Sequence, residues 1–459
     1  MIKMKQREKF GSRLGFILIS AGCAIGLGNV YRFPITTGSY GGAIFVLIYI
    51  LFLILLGIPV MTAELSVGRA SQRSIATSFD KLEKPGQKWH WMKIAGIGGN
   101  YLLMMFYTTI SGWMLVYFWK YLSGSMIEYS GTEEFSNVFE NMLSNTGLMV
   151  GACFAVIILC FGVCSLGLQK GVEKITKVMM IALLALMVLL ALYSCTLSNA
   201  GEGLKFYLIP SINRLKEAGI ATVISSAMGQ AFFTLSIGIG SIAIFGSYID
   251  KDHSLLGEAV TIVSLDTFVA LMSGFIIFPA CFTYNGGQTA DAGTVGASFL
   301  FTTLSSIFNA MPGGRIVGTL FFLFMIFASF STVIAVFENI MSFWIEFTKF
   351  GRKQIAVINI VLIMLLSLPC VLSLNIWSDI KVFGKTFMDL EDYTVSNLLL
   401  PIGSLFYVIF CTSRYGWGWD NYFKEVNTGR GLKVPGWLRG YMSYILPLII
   451  IVILIMSAF

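Results

Sequence analysis

Two glycine-interrupted stretches carry the residues whose types and spacing could bind a small ligand. The first, residues 22–34, reads GCAIGLGNVYRFP inside an otherwise apolar segment, and it contains three glycines, Asn29, Arg32 and Pro34. Because an unpaired backbone group in hydrocarbon is costly, a helix breaks there only where other groups bind the freed N–H and C=O. A ligand with bound cations would satisfy them. The alternative is a kinked, tightly packed helix that uses glycine for close approach.

The second stretch, residues 229–241, reads GQAFFTLSIGIGS and interrupts another apolar segment near the start of the second half of the chain. Two glycine-interrupted segments at corresponding positions of two halves indicate a binding site at the membrane midplane in inverted-repeat transporters. Together, the two stretches favour such a site over a packed kink.

Few ionisable residues lie within the apolar segments: Arg32, Glu64, Asp266, Glu338 and, at the start of a segment, Asp392. A charge inside a membrane is costly, which makes each of these residues a functional hypothesis. The alternative is a structural charge pair near a helix end, and the sequence names no partner for Glu64 or Glu338.

The elements that must position these residues are membrane spans. Of 459 residues, 56% are hydrophobic and 12% are charged, whereas a soluble domain carries about 25% charged residues. Apolar runs near 20 residues predict transmembrane helices. We predict an all-α polytopic membrane protein with eleven spans, at about 13–36, 41–69, 92–121, 147–165, 175–196, 222–248, 256–282, 314–347, 354–373, 393–413 and 438–458.

The placement of basic residues predicts the orientation in the membrane. The N-terminus is rich in lysine and arginine, whereas the loop at residues 123–147 contains four glutamates and no basic residue. We therefore predict a cytoplasmic N-terminus and, with eleven spans, an extracytoplasmic C-terminus. This topology explains the net charge of +7, so a lipid bilayer is the expected partner and a nucleic acid is not.

Cysteine and histidine usage favour a bacterial inner membrane. All eight cysteines lie within or at the ends of apolar spans, so no disulfide framework is predicted. The chain contains no Asn-x-Ser/Thr sequon. No small-residue cleavage site follows the apolar run after the basic N-terminus, which argues against a removed signal peptide. With only two histidines, His90 and His253, a transition-metal site is not expected.

The two motifs are Gly-Leu-Gly-Asn-x-x-Arg-Phe-Pro in the first span and Gly-Gln-Ala-Phe-Phe-Thr-Leu-Ser-x-Gly in the sixth. They resemble those of the neurotransmitter:sodium symporter family. The resemblance implies a single transporter domain over residues 1–459, with two inverted five-helix repeats at about 13–196 and 222–413, broken helices one and six, and an additional span at 438–458. Eleven spans, rather than twelve, resemble a bacterial subgroup that transports tyrosine and other hydrophobic amino acids.

The resemblance implies two sodium sites built from oxygen ligands, which hard cations prefer. The first site, completed by the carboxylate of the substrate, would use Ala24, Asn29, Thr234 and Asp266. The second site would use the carbonyls or hydroxyls of Gly22, Ile25, Ala328, Ser331 and Thr332.

Asp266 implies that chloride is not required. Many family members have asparagine at this position and need a bound chloride, and the position that is acidic in other chloride-independent bacterial members is Ala270 here. A fixed carboxylate one turn earlier can supply the negative charge itself. At about 4 Å and an effective dielectric near 20, one such charge pair is worth on the order of 4 kcal/mol before desolvation.

The implied substrate site lies at the same two breaks. The amides of Leu27 and Gly28, at the N-terminus of a half-helix, favour an anion, and Tyr107 would donate its hydroxyl to the substrate carboxylate. The substrate ammonium would bind backbone carbonyls, those of Ala24, Phe233, Thr234 and Ser236. Family members that carry monoamines have aspartate at the position of Gly26, so glycine there predicts an α-amino acid substrate.

The side chain of the substrate is expected to lie among Ile25, Leu103, Tyr107, Ile239, Thr332 and Val336, with Ser329 nearby. A leucine-selective relative has phenylalanine at the position of Ile239, so Ile239 leaves more room. Hydroxyls of Ser236, Ser329 and Thr332 could reach a tyrosine hydroxyl, and such a hydrogen bond discriminates strongly. We predict import of a bulky hydrophobic or aromatic L-amino acid, with tyrosine as the first candidate. The alternative is broad transport of neutral amino acids, in which these hydroxyls serve sodium and their own helices.

The resemblance also implies two gates. Arg32 and Asp392 match the outer gate, and Arg7, Tyr248 and Glu346 match the inner gate. Family members often have proline at the position of Ile181, where span five can unwind, so the inner side of this chain could open at another hinge. The sequence predicts no oligomeric partner.

Two other classes of protein compete with a transporter. A channel or receptor-like protein on the same fold would need a continuous polar or charged ring, whereas these spans offer isolated sites. A membrane enzyme would need a convergent acid, base and nucleophile, which the spans do not contain. We therefore predict a secondary active transporter that works by alternating access and is not an enzyme.

Overall fold

The structure is a computed structural model that describes residues 8–286 and 297–458. Over these residues every regular element is a helix, and extended pairing is limited to isolated bridges such as that of Val382 with Lys385. Nine of the described helices are long and apolar enough to cross a membrane, and eleven spans result if each of two bent helix pairs counts as one. The all-α polytopic prediction is confirmed, with nine to eleven spans.

We number the spans in chain order. Span 1 consists of two half-helices, 1a (Arg13–Ala24) and 1b (Gly28–Ser39), which meet at an angle of 55°. Span 6 consists of 6a (Ile220–Leu235) and 6b (Ser241–Gly246). The continuous spans 2 to 5 are Ala43–Ser71, Trp89–Ser123, Thr146–Ser165 and Leu168–Cys195. Spans 7 to 11 are Leu255–Tyr284, Gly314–Phe347, Arg352–Leu372, Phe387–Thr412 and Leu438–Met456.

Shorter helices lie between the spans. They are Ser78–Leu82 between spans 2 and 3, Gly131–Ser144 between spans 3 and 4, Ala200–Leu208 and Ile212–Ala218 between spans 5 and 6, Ala297–Phe301 and Thr303–Ala310 between spans 7 and 8, and Trp419–Val426 between spans 10 and 11. The second bent pair consists of Ile212–Ala218 and span 6a, which meet at 90°. We call the face where span 1a begins the near face, and the face where span 1b ends the far face.

Span 8 lies at the centre of the bundle and span 11 at its edge. In the most apolar 18-residue window, 78% of span 8 is buried, compared with 28% of span 11. Span 8 packs against spans 1a, 3, 4 and 5, and the rings of Phe161 and Phe337 stack with their centroids 3.8 Å apart. A helix that is hydrophobic all round is typical of such a buried position.

The first predicted break is present in span 1. Span 1a ends at Ala24, and Ile25 has an extended backbone with φ −69° and ψ 100°. A Cβ at Gly26 would lie under 3.0 Å from Tyr107 Oη and 2.6 Å from Thr332 Oγ1. Any larger residue here would require the ends of the Tyr107 and Thr332 side chains to move, so glycine allows spans 1, 3 and 8 to approach closely as they stand.

The second break is present in span 6. Span 6a ends at Leu235; the next residue, Ser236, has a left-handed backbone with φ 50°, and Gly238 follows with φ +101°. Both values lie in a region that residues other than glycine rarely adopt. A helix cannot continue through two such residues, so the backbone from Ser236 to Gly240 leaves the regular helical hydrogen-bond pattern and binds groups outside its own helix.

Candidate functional site

Three polar side chains meet where the breaks of spans 1 and 6 face span 7. Asn29 Nδ2 donates to Asp266 Oδ1 at 2.7 Å and to the Asp266 carbonyl at 3.0 Å. Thr234 Oγ1 donates to the two carboxylate oxygens of Asp266 at 3.2 and 3.3 Å. All three residues are at most 1% exposed. The structure thus joins side chains that lie up to 237 residues apart in the chain, and the oxygens of this cluster suit a hard cation.

A second group of oxygens joins span 1a to span 8. Thr332 Oγ1 lies 3.2 Å from the Gly22 carbonyl and 3.3 Å from the Ile25 carbonyl. Ser331 Oγ lies 3.4 Å from the Ile25 carbonyl and 2.9 Å from the Ala328 carbonyl. All five residues expected for the second sodium site therefore converge. Two hydroxyls and three carbonyls form an oxygen-only donor set, which fits Na⁺ rather than a transition metal.

A small central cavity lies between the two oxygen groups. Its volume is about 10 Å³, and seven of the residues expected at the substrate site line it: Ala24, Gly28, Leu103, Tyr107, Phe233, Ser236 and Thr332. Leu27 N donates to Tyr107 Oη at 3.0 Å, which holds the break of span 1 against span 3. Gly26 and Leu400 complete the lining. Leu400 was missed in the sequence analysis, because no motif marks it.

The other residues expected at the side-chain pocket lie outside this lining. Ile239 packs next to span 3, with its Cγ2 2.9 Å from where a Cβ at Gly99 would lie. Asn100 Nδ2 donates to the Ile239 carbonyl at 2.9 Å. Val336 is fully buried in span 8. Of the other residues expected at the substrate site, Ile25 and Thr234 belong to the two oxygen groups, and Ser329 is fully buried in span 8. Leu27 lines the larger cavity on the far side.

That larger cavity is a vestibule of about 660 Å³ on the far side, lined in part by Leu27, Arg32, Phe233 and Asp392. The Arg32 guanidinium lies over the Phe233 ring, 4.4 Å from its centroid, and Asp392 Oδ1 accepts a hydrogen bond from Ser396 Oγ at 2.7 Å. In the part of the chain that the structure describes, no direct ion pair joins Arg32 to Asp392. The two residues line the same cavity.

The near side is packed around two glutamates of span 8. Tyr248 Oη donates to Glu338 Oε1 at 2.8 Å, and Glu338 also pairs with Arg352 of span 9. Glu346 accepts hydrogen bonds from Ser74 N and Thr77 Oγ1, both at 2.8 Å. Arg7, the third residue expected at the inner gate, lies outside the described residues. The structure therefore names Arg352 as the partner of Glu338.

Glu64 also gains partners that the sequence left unnamed. This fully buried residue of span 2 accepts a hydrogen bond from Gly238 N at 2.7 Å through Oε2. Its Oε1 accepts from Ile242 N at 3.0 Å and Ala243 N at 3.3 Å. Those N–H groups are freed by the break in span 6 and by the start of span 6b. Glu64 thus supplies acceptors that hydrocarbon cannot.

Two broken spans that bring backbone and oxygen-bearing side chains together in the membrane interior define a secondary transporter with a midplane site. The chain belongs to the sodium:neurotransmitter symporter family, whose family model matches residues 7–135 and 127–459. It is therefore a sodium-dependent symporter of the membrane and not an enzyme, as the sequence predicted.

Three relatives illustrate how far this similarity extends. An uncharacterized sodium-dependent transporter of Bacillus subtilis is 35% identical over 402 residues, which cover 88% of this chain and 87% of the relative. A sodium- and chloride-dependent taurine transporter of Rattus norvegicus is 24% identical over 491 residues, 97% of this chain and 77% of the relative. The crystal structure of MhsT in complex with L-phenylalanine matches with a TM-score of 0.87 and 34% identity, over 99% of this chain and 100% of that chain.

Proposed function

We propose that this protein imports a bulky hydrophobic or aromatic L-amino acid together with sodium, by alternating access. The observation that carries the proposal is the convergence of Asn29, Thr234 and Asp266 beside a cavity lined by freed backbone. Oxygen ligands and peptide groups outside regular helix at one buried point suit a cation and a zwitterion bound together. The 34% identity to MhsT, whose crystal contained L-phenylalanine, favours an amino acid with a large side chain.

Two sodium ions are proposed to bind as the coupling ions. The first lies at the Asp266 cluster, where Ala24 adds a carbonyl and the substrate carboxylate completes the shell. The second lies between span 1a and span 8, at Gly22, Ile25, Ala328, Ser331 and Thr332. Because substrate and first ion share ligands, binding of one favours binding of the other, which is a coupling free energy between the sites.

The backbone of the substrate is proposed to bind at the two breaks. The Leu27 and Gly28 amides face the carboxylate, and Tyr107, which already accepts from Leu27 N, can donate its hydroxyl to it. Carbonyls of Ala24, Phe233, Thr234 and Ser236 accept from the ammonium. Gly26 carries no side chain and packs against Tyr107 and Thr332, so the protein supplies no carboxylate at this position and the substrate must supply it.

The side chain of the substrate enters the apolar remainder of the central cavity. A volume of about 10 Å³ accommodates about one water molecule, so the walls must move when a large side chain binds. Ser236 and Thr332 line the cavity, and Ile239, Ser329 and Val336 are buried outside that lining. Tyrosine remains the first candidate, because a hydroxyl that is hydrogen-bonded in the pocket would separate it from phenylalanine.

Transport is proposed to be independent of chloride. Asp266 places a fixed negative charge within hydrogen-bonding distance of Asn29 and Thr234, where it can balance sodium directly. The taurine transporter whose name states a chloride dependence is only 24% identical to this chain.

The vestibule and the near-side network are proposed as the two gates. Closure of Arg32 towards Asp392 would shut the vestibule, and separation of Tyr248, Glu346 and Arg7 would open the near side. Ile181 is 52% exposed on the outside of span 5, whereas the near end of that span, Leu168–Glu173, is a π-helix. We infer a bacterial inner membrane with the near face in the cytoplasm and the C-terminus outside.

Flux into proteoliposomes tests the proposal. Purified protein is reconstituted, and uptake of labelled tyrosine is measured with a sodium gradient, with potassium in its place, and with gluconate replacing chloride. We expect saturable accumulation that needs sodium and not chloride, and strongest competition from tyrosine, phenylalanine, tryptophan or leucine. Stronger competition from alanine or glycine contradicts the pocket size. Equal competition by all large neutral amino acids indicates the broad-specificity alternative.

A further inference from the structure

Spans 6 and 10 meet backbone to backbone at the break of span 6. A Cβ at Gly238 would lie under 3.0 Å from the carbonyl oxygen of Leu400, and a Cβ at Gly403 would lie under 3.0 Å from the carbonyl oxygen of Gly238. Real Cβ atoms essentially never come so close to backbone. Two glycines thus bring span 10 directly against the break, at the same depth as the central cavity.

This contact places the Leu400 side chain on the cavity. Leu400 is 2% exposed, and among the nine lining residues it is the one that comes from span 10. Its neighbour Leu399 faces span 3 instead, with Cδ1 3.4 Å from where a Cβ at Gly99 would lie. The two consecutive leucines therefore face different surroundings: Leu399 packs against span 3, and Leu400 faces the cavity, where a bound molecule would touch it.

The backbone of span 10 explains this placement. Residues Thr394–Leu399 form a π-helix, and regular α-helix resumes at Leu400 with Pro401 in its first turn. A π-helical turn inserts an extra residue and turns the following side chains to a new direction. Proline has no backbone N–H. It is tolerated in the first turn of an α-helix because an N–H there would have no partner within the helix. The helical periodicity of the sequence assumes a regular α-helix, so it does not predict that Leu400 faces the cavity.

The other walls of the cavity are held by hydrogen bonds or by close packing. Gly238 N is bound by Glu64, and the break of span 1 is bound by Tyr107. Leu400 contributes only its apolar side chain, at the end of an irregular helical segment. A large side chain can enter a cavity of about 10 Å³ only if a wall moves. The wall at Leu400 makes the fewest hydrogen bonds, so we expect it to set how far the cavity widens.

We propose that Leu400 is a specificity-determining residue whose side-chain volume limits the size of the amino acid accepted. This inference rests on the proposed function, since it names the residue that selects among substrates of that site. The carboxylate and ammonium would occupy the polar breaks of spans 1 and 6. The remaining large apolar side chains at the cavity, Leu103, Phe233 and Leu400, then face the side chain of the substrate.

Competition in proteoliposomes tests the role of Leu400. Uptake of labelled phenylalanine is inhibited with leucine and with tryptophan, and the ratio of their half-inhibitory concentrations is compared between variants. Leu400→Ala should shift the ratio about tenfold in favour of tryptophan, and Leu400→Phe should shift it the other way, since a few methylene groups in an apolar pocket change selectivity by at least about tenfold. Leu405→Ala, on the same helix and away from both cavities, should leave the ratio unchanged.

The half-saturating sodium concentration separates selection from a general structural effect. Leu400 supplies none of the oxygens of the two sodium groups, so this value should not change in its variants. An unchanged ratio in Leu400→Ala and Leu400→Phe, or a shift equal to that of Leu405→Ala, overturns the inference while sodium-coupled uptake stands. If Leu400→Ala is lost from the membrane, Leu400→Val replaces it with the same expected direction. Absence of sodium-dependent uptake by the unaltered protein contradicts the proposed function instead.

Discussion

Asn29 Nδ2 donates to Asp266 Oδ1 at 2.7 Å, and this hydrogen bond ties the half-helix after the first break to span 7. Neither residue is exposed. A buried carboxylate is costly unless it is hydrogen-bonded and balanced by positive charge. The Asn29 side-chain amide supplies the hydrogen bond, and a bound sodium ion would supply the positive charge.

Asp266→Asn tests this balance. Removing the charge should raise the half-saturating sodium concentration by tenfold or more, because even about 1.4 kcal/mol of a charge pair worth on the order of 4 kcal/mol corresponds to that factor. Added chloride should restore part of the loss. Sodium and chloride titrations of uptake measure both effects, and Asp250→Asn, which alters an exposed ion pair with Lys9, is the control. A chloride requirement in the unaltered protein would falsify the charge-replacement argument.

Gly26→Ala tests the close approach at the first break. The new Cβ would lie under 3.0 Å from Tyr107 Oη and 2.6 Å from Thr332 Oγ1, so either span 1 or these two side chains, which line the central cavity, must move. We expect loss of sodium-dependent uptake and weaker binding of labelled substrate. Gly98→Ala adds the same methyl group where nothing lies within 4 Å, and it should transport normally. Full uptake by Gly26→Ala would show that the break tolerates a side chain.

Glu64→Gln tests the acceptor for the break of span 6. One oxygen would remain for the three N–H groups that Glu64 now binds. Each buried donor left without a partner costs about 1–3 kcal/mol. The variant should therefore melt at a lower temperature in detergent, as measured by thermal unfolding. Glu128→Gln, at an exposed position, should melt like the unaltered protein, and an equal melting temperature for both variants contradicts the role of Glu64.

Arg32→Ala separates binding from transport at the vestibule. Arg32 lies over Phe233, whose ring lines both cavities. We expect uptake to fall much more than sodium-stabilised binding of labelled substrate, because a gate is needed for turnover and not for occupancy. Arg32→Lys keeps the charge and loses the planar stacking, so intermediate uptake is expected. Undiminished uptake in Arg32→Ala would remove the pair with Asp392 from the mechanism.

The two helix breaks and most of the polar residues of the site could be predicted from the sequence. Inside a membrane, backbone that leaves a helix is stable only where other groups bind it, so Gly26 and Gly238, together with nearby polar residues, predict broken helices. The family motifs then named the oxygens around Asp266 and Thr332, which the structure brings together. Side-chain placement was harder to predict. Ile239 and Val336 were expected at the central cavity, and both are buried outside its lining.

Other features were decided by the tertiary structure alone. The sequence left Glu64 and Glu338 without partners, and folding gives them the backbone of span 6 and the guanidinium of Arg352. Leu400 reaches the cavity because a π-helical segment turns span 10 and two glycines let spans 6 and 10 touch. By itself, the sequence determines where a helix cannot continue, since that depends on local backbone chemistry. Which side chains meet depends on the register between distant helices, and packing sets that register only in the folded protein.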